Sequence, residues 1–277
     1  MQVLPSPVFH NDTAQLLQRL RKSPPQSLLI TGERGLGLLY AARYITEQPY
    51  ILHALDSKGE RDELRGSIRV DMIRSIYDIT RSKSKKRQCI IIDNAELMTT
   101  AAQNAFLKLL EEPPENVYFI LTSHQPQRLL ATVRSRVQKI TVQPPSSSQT
   151  RQLIASLHVT DQIRVSQLLF IADQRPAEIV RLVENEEYFE RVASAMAHAR
   201  TMVAGAKYNR IVLIQGYNND RAAAQLLIKS ILTILHRQLL KSPSADIIDR
   251  ARRYTEAYDR IDGNASVRLQ LLNCAII

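Results

Sequence analysis

The apolar residues of this chain change their periodicity near residue 145. Before that point, short continuous apolar runs alternate with stretches of helical spacing. SLLIT (27–31), YILHA (50–54), CIIID (89–93), VYFILT (117–122) and KITV (139–142) have strand length. Runs apolar at nearly every position suit strands covered on both faces. Between them the spacing predicts helices near 37–46, over 70–79 and over 99–111. Val70, Ile73, Ile76 and Tyr77 share one stripe, and Ala102, Ala105, Phe106, Leu109 and Leu110 share another. This alternation predicts an α/β fold, a parallel sheet flanked by helices.

After Pro144–Pro145 the strand signals nearly vanish. Ser146–Ser148 reads as a linker running into a helix, with Ser147 or Ser148 as its N-cap. Helices follow over 148–158, 161–172 and 176–187, and Pro176 suits the first turn of the third. The remainder, 188–277, is all helical, with Gly263–Asn264 separating the last two helices. Residues 222–240 carry Leu226, Leu227, Ile231, Leu232, Ile234, Leu235, Leu239 and Leu240, apolar on more than one face. Such a helix is buried or meets a partner. The expected division is 1–145 α/β, 146–190 a small helical domain and 191–277 a second helical domain.

Composition narrows the class. The 277 residues are 44% hydrophobic and 23% charged, as in globular proteins. No apolar run reaches membrane-spanning length. The start, MQVLPSPVFHND, lacks a basic segment followed by an apolar core, so no signal peptide is expected and a cytoplasmic location fits. Cys89 and Cys274 are not spaced as a metal pair and imply no disulfide framework. The net charge of +10 favours an acidic partner, nucleic acid being the common one, although a merely basic surface gives the same number.

Two motifs carry candidate chemistry. After SLLIT come Gly32, Glu33, Arg34, Gly35, Leu36, Gly37, Leu38 and Leu39. A phosphate-binding loop reads G-x-x-x-x-G-K-[ST] between a strand and a helix. Gly32 and Gly37 keep the frame, with Gly35 between them, but the lysine is Leu38 and the hydroxyl is Leu39. Those two side chains would hold terminal phosphates and magnesium, so nucleotide hydrolysis is not expected. An ordinary glycine-rich turn gives the same pattern. The second motif is Ile90–Ile92 running into Asp93, a Walker B pattern whose aspartate binds magnesium in ATPases. The next residue is Asn94, whose amide cannot act as a general base, and Glu96 lies two further on. A turn or helix N-cap is the plainer role for Asp93.

Residues 99–114 read TTAAQNAFLKLLEEPP and residues 117–136 read VYFILTSHQPQRLLATVRSR. A helix ending in L-L-E-E-P-P, a strand, and a loop ending in R-S-R resemble the clamp-loader branch of the AAA+ ATPases. Ser135, Arg136 and Val137 stand at that family's Ser-Arg-Cys motif, with Val for Cys. The resemblance covers about 115 residues from Gly32 to Arg136, and 258–276 is similar to the last collar hairpin. With both nucleotide motifs degraded, it implies a subunit of the bacterial DNA polymerase III loader that does not itself hydrolyse ATP.

The resemblance implies an AAA+ domain, a helical lid and a helical collar. It also implies a ring whose ATP sites lie at subunit boundaries, with Arg136 as an arginine finger reaching a neighbour's phosphate. Arg134 is the weaker candidate, and a solvated or ion-paired arginine is the plainer alternative for both. Implied partners are gamma/tau-type ATPase subunits, a delta-type subunit, the sliding clamp and primed DNA, with no membrane. Thr122 and Ser123 fall at a phosphate-sensing position, where satisfying local backbone groups is the simpler role. A second sensor arginine belongs where Ala177 stands, two residues after Arg175. Many relatives carry a four-cysteine zinc module before the Walker B strand; residues 47–88 contain no cysteine, so no zinc is expected. The basic run Arg81, Lys83, Lys85, Lys86, Arg87 is either a contact for DNA backbone or a solvated connector. An active motor with a divergent loop, Arg34 standing for the lysine, is the alternative, and a recombination-type AAA+ protein fits the E-E-P-P and R-S-R segments poorly.

Overall fold

A computed structural model describes residues 8–63, 66–81, 87–218 and 220–276. The chain divides into two compact units, Met1–Val180 and Arg181–Ile277. The sequence boundary at 145 falls inside the first unit and the one at 190 inside a helix of the second.

In the first unit α1 (Asn11–Lys22) precedes β1 (Ser27–Thr31), α2 (Leu38–Ile45), β2 (Tyr50–Leu52) and α3 (Val70–Arg81). β3 (Gln88–Ile92), α4 (Thr100–Glu111), β4 (Val117–Ser123), α5 (Ala131–Arg134) and β5 (Gln138–Thr141) follow. The five strands form one parallel sheet in the order β2-β3-β4-β1-β5. Ile30 stands opposite Thr122 and Ile140, which sets the register at the centre.

Alternate residues of each strand feed opposite cores. Leu29, Ile90, Ile92, Phe119 and Leu121 pack with Ile73, Ile76, Phe106 and Leu109 of α3 and α4. Phe106 meets Phe119 edge to face at 5.2 Å. Leu28, Ile30, Ile91, Ile120 and Ile140 pack with Leu17, Leu20, Ala41, Ala42 and Ile45 of α1 and α2. Both faces of β1, β3 and β4 are therefore dry, the physical reason these three strands read as nearly unbroken apolar runs, while the edge strands β2 and β5 keep exposed positions.

Three helices close this part of the chain: α6 (Ser147–Ser156), α7 (Gln162–Ala172) and α8 (Pro176–Glu184). The cap of α6 is Ser146, not Ser147 or Ser148. Its hydroxyl accepts from the Gln149 N–H while the Gln149 side chain accepts from the Ser146 N–H. That reciprocal box needs a Gln or Glu three residues after the cap, which only Ser146 has. The third helix stops at Glu184, short of the expected 187, because Asn185 caps the next one by accepting from the Tyr188 N–H at 2.8 Å.

The second unit is helical among its described residues: α9 (Glu186–Ala204), α10 (Lys207–Gln215), α11 (Arg221–Lys241), α12 (Ala245–Asp262) and α13 (Val267–Ala275). Val192, Ala195, Met196, Ala199 and Met202 of α9 are buried, as are Leu227, Ile228, Ile231, Ile234 and Leu235 of α11. Leu240, at the end of that apolar helix, is exposed. No helix among the described residues is long and apolar enough to cross a membrane.

Candidate functional site

In open parallel sheets ligands sit beyond the carboxyl ends of the strands. Here β1 ends at Thr31, β3 at Ile92 and β4 at Ser123. The loop after β1, Gly32–Gly37, enters α2 through Gly37. Gly35 (φ +89°) and Gly37 (φ +81°) both take the left-handed conformation that side chains resist. Leu36 and Leu38 are buried, and Leu38 is 2% exposed. A Cβ on Gly32 would lie 3.1 Å from Leu38 Cδ2 and 3.3 Å from Leu36 Cδ1, so leucine side chains fill the space beside the loop.

The loop's outer side is bonded by its own chain. The Ala177 N–H, in the first turn of α8, donates to the Gly35 carbonyl at 2.8 Å. A Cβ on Gly35 would lie 3.0 Å from Arg175 Cβ. The Arg175 guanidinium donates from Nε to the Ala172 carbonyl and from one terminal nitrogen to the Ile171 carbonyl, both at 2.9 Å. It thereby satisfies carbonyls left open at the end of α7. The Gly32 carbonyl accepts from His124 Nδ1 at 2.9 Å. A carbonyl only accepts, so that ring nitrogen carries the proton.

Asp93, next after β3, is 5% exposed. It is not a helix N-cap. Its Oδ1 accepts from the Thr122 hydroxyl at 2.8 Å, and Oδ2 lies 3.2 Å from His53 Nδ1 and 3.5 Å from an Arg61 nitrogen. Burial alone raises its pKa, but the His53 and Thr122 hydrogen bonds and the His53 and Arg61 charges outweigh it, so the carboxyl titrates below its ordinary value. Asn94 follows in the left-handed region, φ 53°, and its N–H donates to Thr122 Oγ1 at 2.9 Å. Thr122 thus bridges β3 and β4, while Ser123 stays local and accepts from the Gln125 N–H at 3.2 Å. Glu96 accepts the His124 N–H on one oxygen at 3.1 Å, and its other oxygen is buried without a partner among the described residues. No three His, Cys, Asp or Glu side chains among the described residues are grouped to hold a metal.

Arg136 lies two residues beyond α5. One terminal nitrogen donates to the Thr132 carbonyl at 3.1 Å, and the other pairs with Glu111 Oε1 at 2.8 Å. Its side chain is 38% exposed. Arg134, the last residue of α5, is exposed. In the basic run, Lys83, Lys85 and Lys86 and the side chain of Arg81 lie outside the described residues.

One residue escaped the sequence reading. Gln103, buried in α4, donates to the Met98 carbonyl at 3.2 Å and the Arg128 carbonyl at 3.4 Å and accepts the Leu130 N–H at 2.7 Å. It ties the segment after β3 to the entry of α5. The signal was present: a glutamine on the buried Gln103–Phe106–Leu110 stripe needs partners.

A family model described as DNA polymerase III, delta subunit matches residues 48–146. DNA polymerase III subunit delta' of Yersinia pestis is 46% identical over 74 residues, 26% of this chain and 22% of that protein. The delta' subunit of Escherichia coli K12 is 27% identical over 164 residues, 58% of this chain and 48% of that one. The chain thus spans about half or less of the length of these curated relatives. A DNA polymerase III gamma subunit-related protein of Thermotoga maritima has the same fold, with a TM-score of 0.59 at 22% identity over 96% of this chain and 97% of that one. The β2-β3-β4-β1-β5 sheet, the motif series from Gly32 to Arg136 and these matches agree: the chain is similar to DNA polymerase III delta' subunits, with the family model covering residues 48–146.

Proposed function

We propose that this chain is a non-hydrolysing clamp-loader subunit that supports loading of a sliding clamp onto primed DNA and lends Arg136 to the ATP site of a neighbouring gamma/tau-type subunit. The observation that carries the reading is Leu38, buried in the core at the position where a phosphate loop has its lysine. The residues present do not fit a magnesium nucleotide. Leu38 and Leu39 offer neither cation nor hydroxyl, Asp93 already faces His53 and Arg61, and Asn94 supplies no base. The degenerate loop acts as architecture, joined to α8 through Gly35.

Arg136 suits a role in trans because a guanidinium is always charged and presents a planar fork to phosphate oxygens. Its exposure leaves it available to a neighbour. The C-terminal helices are the part we assign to holding the ring, with a delta-type subunit among the partners. This role places the protein in the cytoplasm.

Two measurements test the reading. The isolated chain is expected to show no ATP turnover. Turnover that Arg34→Ala abolishes would replace it with the motor reading, since Arg34 is the exposed cation of the loop. The loader reconstituted with Arg136→Ala is expected to lose DNA-stimulated ATPase and clamp loading, and undiminished activity removes the finger.

A further inference from the structure

The carboxylate opposite Arg136 has no part in the reading above, and its position is unusual. Glu111 is the last residue of α4, where the helix dipole disfavours negative charge. Its Oε1 lies 2.8 Å from the Arg136 guanidinium, and the side chains are 51% and 38% exposed. The other terminal nitrogen of that guanidinium bonds the Thr132 carbonyl at 3.1 Å and reaches Ser135 Oγ at 3.5 Å. Groups from α4 and α5 therefore fix the fork from two directions.

We propose that Glu111 is a positioning residue that holds the Arg136 guanidinium ready for a neighbour's phosphate; the proposal rests on the finger reading. An unrestrained arginine must be immobilised when the ring forms, at a cost of roughly 0.5–1.5 kcal/mol for a side chain rich in rotamers. With Glu111 and Thr132 in place, part of that ordering precedes assembly. The guanidinium has five N–H donors, so holding it by these contacts leaves donors for phosphate. The same α4 begins at Thr100, in the segment that follows Asp93 along the chain.

The test is a double-mutant cycle in the reconstituted loader with ATP, clamp and primed DNA. Glu111→Ala is expected to lower maximal turnover about two- to tenfold and leave KM for ATP unchanged. Glu111→Gln, which keeps an oxygen acceptor, is expected to recover part of the loss. In the Arg136→Ala background, Glu111→Ala is expected to add nothing, as for residues acting as one unit. A Glu111→Ala loader with wild-type turnover, beside an inactive Arg136→Ala loader, overturns the positioning role alone. So does a raised turnover, which makes Glu111 a competitor, or a further loss in the Arg136→Ala background. An active Arg136→Ala loader overturns this proposal and the finger together.

Discussion

The end of β3 and the end of α5 treat charge in opposite ways. At the first, Asp93 is buried and its two oxygens meet Thr122, His53 and Arg61 of its own chain. At the second, Arg136 keeps one carboxylate partner and more than a third of its side chain in water. The carboxylate of Asp93 is already bonded to Thr122 and His53 and lies near Arg61, whereas an exposed ion pair is weak, about 0–1 kcal/mol. On the proposed function, the contrast separates a pocket from its rim: Asp93 is bonded within its own chain, while Arg136 keeps outward-facing charge.

The largest effect on this contrast is expected from Arg136→Ala. A finger contributes about 10³–10⁵ in rate, so DNA-stimulated turnover of the assembled loader is expected to fall by at least about 10³-fold. Unfolding of the isolated variant is expected to shift by less than about 1 kcal/mol, the scale of an exposed pair. Next comes Leu38→Lys, which restores the motif in sequence but puts a cation into the leucine-filled space under Gly32. Loss of the buried leucine and burial of charge together are expected to cost about 3 kcal/mol in denaturant unfolding, with no ATP turnover gained. A Leu38→Lys chain of wild-type stability that hydrolyses ATP would show the pocket to be one residue away from function.

The strands were legible because burial on both faces leaves a continuous apolar signal, as in CIII and VYFIL. The two glycine-framed and aspartate-ended motifs were legible because each occupies consecutive positions. Helix α1 was not read: its buried face is Thr13, Leu17 and Leu20, a weak stripe broken by a threonine. α5, four residues long, is shorter than any useful period. The cap of α6 stayed ambiguous because three adjacent serines meet the compositional rule, and only the pairing with Gln149 selects Ser146. The partners of Asp93 were beyond reach for another reason. His53 lies 40 residues away and Thr122 lies 29, and nothing local in the sequence pairs them. Sequence therefore gives the residues at the two motif positions, and the fold gives the partners that Asp93 and Gly35 meet.

Asp93→Asn examines that replacement through pH. The folded carboxyl titrates below the unfolded value of about 3.9, so as acid is added the unfolded chain takes up this proton first. The stabilisation is whole above about pH 4 and disappears as pH falls through the depressed folded value. The asparagine variant keeps the shape without the charge. It is expected to lose about 1.5–3 kcal/mol at neutral pH, the range for hydrogen bonds to a charged group, and the difference from wild type is expected to shrink in acid. Parallel stability curves down to pH 2 would mean the cluster with His53 and Arg61 stabilises nothing, and the interior half of the contrast would fail.

The smallest effect is expected at Arg134. It is exposed, yet among the described residues it has none of the bonds that fix Arg136 to Glu111 and Thr132. A guanidinium that is not held enters a neighbour's site only by giving up its own rotamer freedom, and two residues along a short helix end it leaves in a different direction. Arg134→Ala is therefore expected to change loader turnover by less than about threefold, a loss of under 1 kcal/mol of the kind a screened surface charge gives. Raising the salt is expected to erase that small difference while leaving the Arg136→Ala defect in place. If Arg134→Ala instead abolishes turnover and Arg136→Ala spares it, Arg134 is the working arginine, and the bonds of Arg136 to Glu111 and Thr132 are structural, as those of Asp93 to Thr122 and His53 are on the proposed reading.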